Sequence, residues 1–541
     1  MTASSDAPQT TDTTGPADTA GPAETTLSAR RVRLARFGLL ATAFAVSACG
    51  LVYELALITL GAYLVGNTAK QASIVLAIMV FAMGIGALAA KPLRRWPALA
   101  FAAVELVLAL LGGFSVMLLY AAFAWTDLYS LPLVAVAAAI GLLIGAEIPL
   151  LMELLQRIRE QAAGAAVADL NAADYLGGLI GGLAFPFVLL PFFGQIQGAL
   201  IVGAVNAVAG VLLIFVLFRR DLSKLAKQVL GLVAGLTALL LVAAFVYTDK
   251  FETDARQALY AAPIVYSEDS QYQQIVMTES ASPFGEQDLR LYLNGDLQFS
   301  SVDEYRYHEA LVHPAMNGPH ANVLVLGGGD GLAVREILKY DDVETVTLVD
   351  LDGAVTDLAR GFGDLVALNG DSLDDPKVTV VNEDAFTWLR QQTGAWDAIV
   401  VDMPDPDATE TAKLYSTEFY ALAGDHLAAD GRMVVQGGSP YFAPKTYWTI
   451  AATLADAGYD PTPYWVSVPS FGDWGFHLVR ADGTAPSLGL DPAAGPFQSL
   501  TPELLQAAQV FQPDRDYMEM PPSTLMHPLI LDLVESEWQN Y

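Results

Sequence analysis

Two aspartates three residues apart, Asp402 and Asp405, stand in the segment Asp402-Met403-Pro404-Asp405-Pro406 that follows the apolar run WDAIVV. Two carboxylates at one strand end suit a cationic amine, since one can hold an ammonium while the other accepts a proton as nitrogen attacks. An ordinary turn would also favour Asp and Pro at these positions. A second cluster, Gly327-Gly328-Gly329-Asp330-Gly331, follows the apolar run 322–326 and precedes a helical pattern. Glycines such as Gly327 and Gly329 permit a tight turn and close approach of a ligand to the backbone. Asp350 ends the next apolar run, about 20 residues on, where a carboxylate can accept hydrogen bonds from both hydroxyls of a ribose. Asp384, at the end of a later run, could receive an exocyclic adenine amine. Asp330 would repel a pyrophosphate but attract a sulfonium or an amine, which favours an adenosylmethionine-type ligand over a dinucleotide. The other reading of Asp330 is that it caps the following helix.

These residues need a sheet edge to bring them together. After His320 the runs NVLVLGGG, VETVTLVDLD, KVTVVNEDA, WDAIVVDMPDP and GRMVVQGG alternate with helical patterns such as LAVREILKY. That alternation predicts a Rossmann-like (methyltransferase-type), mostly parallel sheet with helices on both faces, its carboxyl edge carrying the acids. Before it, QYQQIVM and LRLYLNGDLQF alternate at the period of strands, and Asn294-Gly295-Asp296 marks a hairpin turn, so a small antiparallel β unit is expected over 250–305.

The preceding half has another texture. Residues 1–29, rich in Thr, Ala, Asp and Pro, read as a disordered tail. Over 30–249 seven apolar segments (37–63, 72–90, 98–121, 131–151, 175–193, 198–218 and 228–247) are each about the 20 residues that cross a bilayer. The chain is therefore expected to be a multi-pass protein of the cell membrane, a transmembrane helical bundle fused to an α/β domain over 306–541. Basic clusters at Arg30 to Arg36, Lys91/Arg94/Arg95, Arg157/Arg159 and Arg219/Arg220/Lys224/Lys227 fall on one side of this bundle. The positive-inside bias makes that side cytoplasmic, and seven crossings then carry the α/β domain to the outer side. Among acids in the apolar segments, Glu54, Glu105, Glu147 and Asp174, an intramembrane carboxylate is costly enough to be a functional candidate; Glu54 and above all Glu147, in GAEIPL, stand out. Gly177, Gly178, Gly181 and Gly182 suit close helix packing.

A formal charge of -31 argues against nucleic acid as a partner. One cysteine, Cys49, and six scattered histidines leave no disulfide framework and no recognisable metal-ligand spacing, so no metal site is expected.

Together the residues resemble the spermidine synthase family of polyamine aminopropyltransferases, and the multi-helix half resembles its membrane-bound branch. The resemblance covers roughly 272–476; its strongest piece is VLVLGGGDGLAVREILKY, supported by DEYRYHE at 303–309, VDLD, the DxxDP element at Asp402, LYSTEFY at 414–420 and VVQGGSPY at 434–441. It implies that Gln273, Tyr307, His308, Asp330, Asp350 and Asp384 surround decarboxylated S-adenosylmethionine as cosubstrate, with no prosthetic group. It further implies Asp402 as base, with Asp405, Phe471 and Trp474 toward the acceptor amine, a diamine such as putrescine, and an assembly of identical chains. Departures gather on the acceptor side: Asn294 replaces the usual acid of the LxLDG element, Met403-Pro404 a small polar pair, ATETAK at 408–413 a glycine-proline segment, and Phe471 a tyrosine-like aromatic. They leave open a lyase, cyclase or other transferase using S-adenosylmethionine, or a polyamine or nucleoside transporter or sensor whose α/β domain only binds.

Overall fold

A computed structural model describes residues 29–65, 68–126, 128–158, 163–281, 285 and 287–538. All but the last residue of the tail expected over 1–29 lies outside them. The chain divides into two compact units, one of residues 1–56, 78–115 and 136–245, the other of residues 57–77, 116–135 and 246–541.

The N-terminal part is built from helices α1 (Ala29–Val65), α2 (Thr68–Ala89), α3 (Pro97–Thr126), α4 (Ser130–Ile158), α5 (Ala163–Ala184), α6 (Leu190–Leu217) and α7 (Lys224–Leu259). Among the described residues, six helical stretches are long and apolar enough to cross a membrane, the fifth being the 51-residue Val167–Leu217. That stretch is not straight. Gly194 has φ 67° and ψ -176°, outside helical space. A Cβ on Gly198 would lie 3.6 Å from Cβ of Leu189, whereas nine residues of straight helix span about 13 Å. The chain therefore folds back on itself at Gly194. The last helix runs past the expected end at 247 to Leu259, because no glycine or proline interrupts 249–259. Where α5 crosses α1, Gly177 and Gly181 lie against the backbone of Phe44 and Ala48; an added Cβ would come within 2.2 and 2.3 Å of their carbonyl oxygens. Glycine at this i, i+4 spacing is thus a steric requirement of the packing.

In the second unit, β1 (Ile264–Asp269), β2 (Gln274–Ala281), β3 (Gln287–Leu293) and β4 (Asp296–Ser300) form a four-stranded antiparallel sheet in chain order, larger than the single hairpin expected. Between β3 and β4 the turn residues Asn294 and Gly295 both have positive φ, 54° and 97°, as a two-residue hairpin of primed type demands.

A seven-stranded sheet follows: β5 (Asn322–Gly327), β6 (Thr345–Asp350), β7 (Val378–Asn382), β8 (Trp396–Asp402), β9 (Leu427–Gln436), β10 (Thr462–Val468) and β11 (Gly472–Arg480), in the order β10-β11-β9-β8-β5-β6-β7. Strands β5 to β9 run parallel and β10–β11 add an antiparallel edge, which is the mostly parallel Rossmann-like sheet expected. Alternate residues face opposite layers. Val323 and Val325 join one buried cluster, Leu324 and Leu326 the other, so both faces are covered. Chain order reverses between β5 and β8, and an open sheet binds its ligand outside the carboxyl ends of the strands at such a point.

Candidate active site

Gly327 on β5 and Asp402 on β8 are register partners at that reversal. Gly327 has φ 82°, and a Cβ there would lie 2.0 Å from the carbonyl oxygen of Asp402. Two residues on, the N–H of Gly329 donates to Oδ2 of Asp350 at 3.0 Å, and the N–H of Asp352 donates to Oδ1 at 2.9 Å. A Cβ on Gly329 would fall 2.6 Å from the same Oδ2. The glycine turn and the tip of β6 are thus one unit, with Asp350 oriented by two backbone amides. Burial pushes its carboxyl up to about 6 against the pull of those amides, and Asp352 and Asp330 add to the push. Gln273, the residue before β2, donates to Oδ2 of Asp352 at 3.0 Å, and Ser270 donates to the same oxygen at 2.6 Å. Asp330, one residue before the N-cap Gly331, accepts the Leu332 N–H, the first of the helix, at 2.9 Å. Its carboxyl is nonetheless buried and raised by burial, with His308 pulling the other way.

Helix α8 (Glu304–Met316) supplies Tyr307 and His308. The Tyr307 hydroxyl donates to Oδ1 of Asp402 at 2.6 Å. His308 Nδ1 lies 2.8 Å from Oε2 of Glu304, which Arg335 also grips through both terminal nitrogens at 2.7 and 2.9 Å. Burial, the largest single influence, would discharge the imidazole, but the bond to Glu304 and the charges of Glu304, Asp330 and Asp402 together raise the pKa. Asp402 is in turn pushed up to about 6 by burial and by Asp330, while His308 and Tyr307 hold it down. The group is ionised at neutral pH yet basic enough to accept a proton.

Past Asp402 the turn is fixed from below. Gln436 donates to the Met403 carbonyl at 2.8 Å and to Oδ1 of Asp405 at 3.3 Å, and the Tyr415 hydroxyl donates to the Met403 and Pro404 carbonyls at 3.1 and 2.9 Å. Trp474 Nε1 donates to Oε1 of Gln436 at 3.2 Å, and its ring lies 5.1 Å from Phe471, which faces Tyr307 at 6.2 Å. Asp405 is raised to about 6 by burial, then by Asp407, against Gln436. Asp296, the first residue of β4, is raised to about 7, first by desolvation of its carboxyl although the residue as a whole is exposed, then by Asp407 and Asp405. Asn294 is occupied structurally, its Oδ1 accepting the Gln274 N–H at 3.0 Å. The acid missing from Asn294 is therefore matched by one two residues later.

Asp384 lies at the same edge with its oxygens engaged. Oδ1 accepts the backbone N–H and the hydroxyl of Thr387, both at 2.8 Å, and Oδ2 pairs with Lys413 at 2.6 Å. Burial would raise this carboxyl, but Lys413 and Thr387 take it below the ordinary carboxylate range. Motif reading missed Asp296, Gln436 and the Glu304–Arg335 brace, although an acid just after a hairpin turn and an Arg inside the strongest motif were visible signals. In the helical unit Glu147 is buried, as is Glu105, whereas Glu54 is half-buried.

The Spermine/spermidine synthase domain family matches residues 304–488. A protein named Polyamine aminopropyltransferase 1, from Streptomyces coelicolor, is 57% identical over 511 residues, covering 94% of this chain and 96% of that one. Another, named Polyamine aminopropyltransferase, from Mycobacterium tuberculosis, is 48% identical over 511 residues, covering 92% and 96%. Among solved structures, a spermidine synthase in complex with the transition-state analogue AdoDATO aligns with TM-score 0.38 and 24% identity, over 51% of this chain and 89% of that one.

Proposed function

The chain belongs to the polyamine aminopropyltransferase family, that of the spermine/spermidine synthase domain, and from that premise we infer that Asp402 is the base of an aminopropyl transfer. The enzyme moves the aminopropyl group of decarboxylated S-adenosylmethionine to a diamine such as putrescine, giving spermidine and methylthioadenosine. The reading of its residues rests on one observation, the pairing of Gly327 with Asp402 across the strand reversal. It brings a nucleoside turn and a carboxylate of suitable basicity to one edge. On this reading Gln273, Tyr307, His308, Gly327, Gly329, Asp330, Asp350 and Asp384 hold the donor: Asp350 takes the ribose hydroxyls, and Asp330 faces the positive sulfonium. Asp405, Phe471 and Trp474 hold the acceptor.

The neutral amine nitrogen attacks the methylene carbon beside sulfur, the carbon–sulfur bond breaks toward sulfur, and methylthioadenosine leaves neutral. The new secondary ammonium gives its proton to Asp402. Orientation and removal of one proton are the protein's main tasks, because a sulfonium is already a good leaving group. Purified protein given decarboxylated or intact S-adenosylmethionine, with and without putrescine, tests the whole reading by mass spectrometry. Methylthioadenosine must form only with the decarboxylated donor and an amine present; release without amine means a lyase.

The helical part is read as a membrane domain. The reversal at Gly194 turns six long helical stretches into seven crossings, an odd number, and the basic clusters put the N-terminus in the cytoplasm. The catalytic unit then lies outside, an assignment that protease accessibility in oriented vesicles would test. Lipid contact and self-association belong to the same proposal.

A further inference from the structure

Among the buried polar side chains of the helical unit that aminopropyl transfer does not use are Tyr53 on α1, Glu105 on α3, Glu147 on α4 and Asn206 on α6, at most 3% exposed. Asn206 Nδ2 donates to Oε2 of Glu105 at 2.7 Å and to its backbone carbonyl at 3.3 Å. Tyr53 lies within electrostatic reach of Glu105, Glu147 and Cys49, and Glu147 within reach of Glu105 and of Asp174 on α5. Cys49 is directed at the Val202 carbonyl, at 3.7 Å. Among the described residues, no lysine, arginine or histidine acts electrostatically on Cys49, Tyr53, Glu105 or Glu147. Arg36, Arg94 and Arg157 pair elsewhere, with Asp169, Glu153 and Asp221.

The hydrogen-bond inventory does not close. Oε1 of Glu105, Oε1 of Glu147, Oδ1 of Asn206 and the hydroxyl of Tyr53 are buried with no partner among the described residues. That is three acceptors to one hydroxyl donor, so the cluster lacks donors. A buried acceptor left bare is unfavourable, and an intramembrane carboxylate without a basic partner more so. Space is also short: a Cβ on Gly210 would come within 2.5 Å of the Glu105 side chain, and one on Gly112 within 2.5 Å of the Tyr53 ring. What completes the cluster must be a cation, and a small one. We propose that Tyr53, Glu105, Glu147 and Asn206 form a proton-binding centre inside the helical bundle. A proton carried on the carboxyls supplies the missing donor without needing a cavity.

Infrared difference spectroscopy of the full-length protein in lipid nanodiscs, titrated with pH, tests this. The wild type must show the carbonyl stretch of a protonated carboxylic acid at neutral pH. Glu105→Gln and Glu147→Gln must each remove part of it, and Asn206→Ala must shift its frequency, since that amide donates to Glu105. Retained aminopropyl transfer in each sample reports that the protein is folded, and Glu105→Asp should restore the band. A band untouched by both Gln substitutions overturns the proposal. So does a band that is absent at neutral pH until sodium or methylammonium is withdrawn, which would assign the centre to those cations.

Discussion

The hydroxyl of Tyr307 and Oδ1 of Asp402 are 2.6 Å apart, joining a residue of α8 to the tip of β8 across 95 positions of chain. The contact does two things. It fixes the carboxylate beside the glycine turn, and it stabilises the ionised form, opposing the burial that pushes Asp402 up to about 6.

Removing that hydroxyl should therefore show in a pH profile. Because the Tyr307 bond lowers the pKa of Asp402, Tyr307→Phe raises it, and the acid limb of kcat/KM, expected near pH 6 in the wild type, moves to higher pH. A hydrogen bond to a charged group contributes about 1.5–3 kcal/mol, so a displacement of roughly one to two pH units is expected. An unmoved limb with uniformly lower activity would mean that the hydroxyl positions substrate without tuning the base.

Asp402→Asn removes the proposed base but none of the contacts at the glycine turn. Transfer should fall by about 10²–10⁴-fold, while the affinity for the donor, measured by calorimetry, stays within about threefold. Loss of donor binding equal to the loss of turnover would move Asp402 from proton acceptor to structural anchor.

The parallel sheet and its acid-tipped edge were legible in the sequence because their signals are local: a glycine turn closing β5, an acid as the last residue of β6 and of β8, and continuous apolar runs in strands covered on both faces. What stayed hidden depends on contacts distant in the chain. Arg335 meets Glu304 across 31 positions, and the same Glu304 raises the pKa of His308. Asp296 reaches the neighbourhood of Asp405 and Asp407 only because the β3–β4 hairpin turns at Asn294. In the helical unit Glu105 gains its importance from Asn206, 101 positions away, whereas Glu54, equally conspicuous in sequence, is half-buried.

Asp296 stands within electrostatic reach of Asp405 and Asp407, and on the proposed acceptor site its removal should weaken acceptor binding rather than the chemistry. Asp296→Asn is expected to raise KM for putrescine several-fold, about 1 kcal/mol for a solvent-accessible charge contact, with kcat and KM for the donor little changed. The effect should fade in high salt, since a partly exposed attraction is screened. A kcat effect without a KM effect would place Asp296 outside the acceptor site.

The glycine turn predicts the opposite selectivity. A Cβ at residue 329 would fall 2.6 Å from Oδ2 of Asp350, too close for either group to remain. Gly329→Ala should therefore raise KM for the donor by about tenfold or more, one misplaced hydrogen-bonding group being worth over 1 kcal/mol. KM for the diamine should hold. Comparable rises for both substrates would indicate that the sheet edge itself had distorted.

Below the site, Glu336 is fully buried and bonded to His313 at 3.0 Å, Arg335 at 2.9 Å and Lys339. Burial alone would raise its carboxyl, yet these partners draw it from 4.5 down to about 2. A folded-state pKa below the unfolded value contributes stability that is complete above about pH 4.5 and is lost as pH falls toward 2. At 1.36 kcal/mol per pH unit the contribution at neutral pH is on the order of 3 kcal/mol. Glu336→Gln should accordingly unfold at lower denaturant concentration than wild type at pH 7, with the gap narrowing steadily below pH 4.5. A gap that stays constant on acidification would assign the loss to packing around residue 336, because only the charged carboxylate carries the pH dependence.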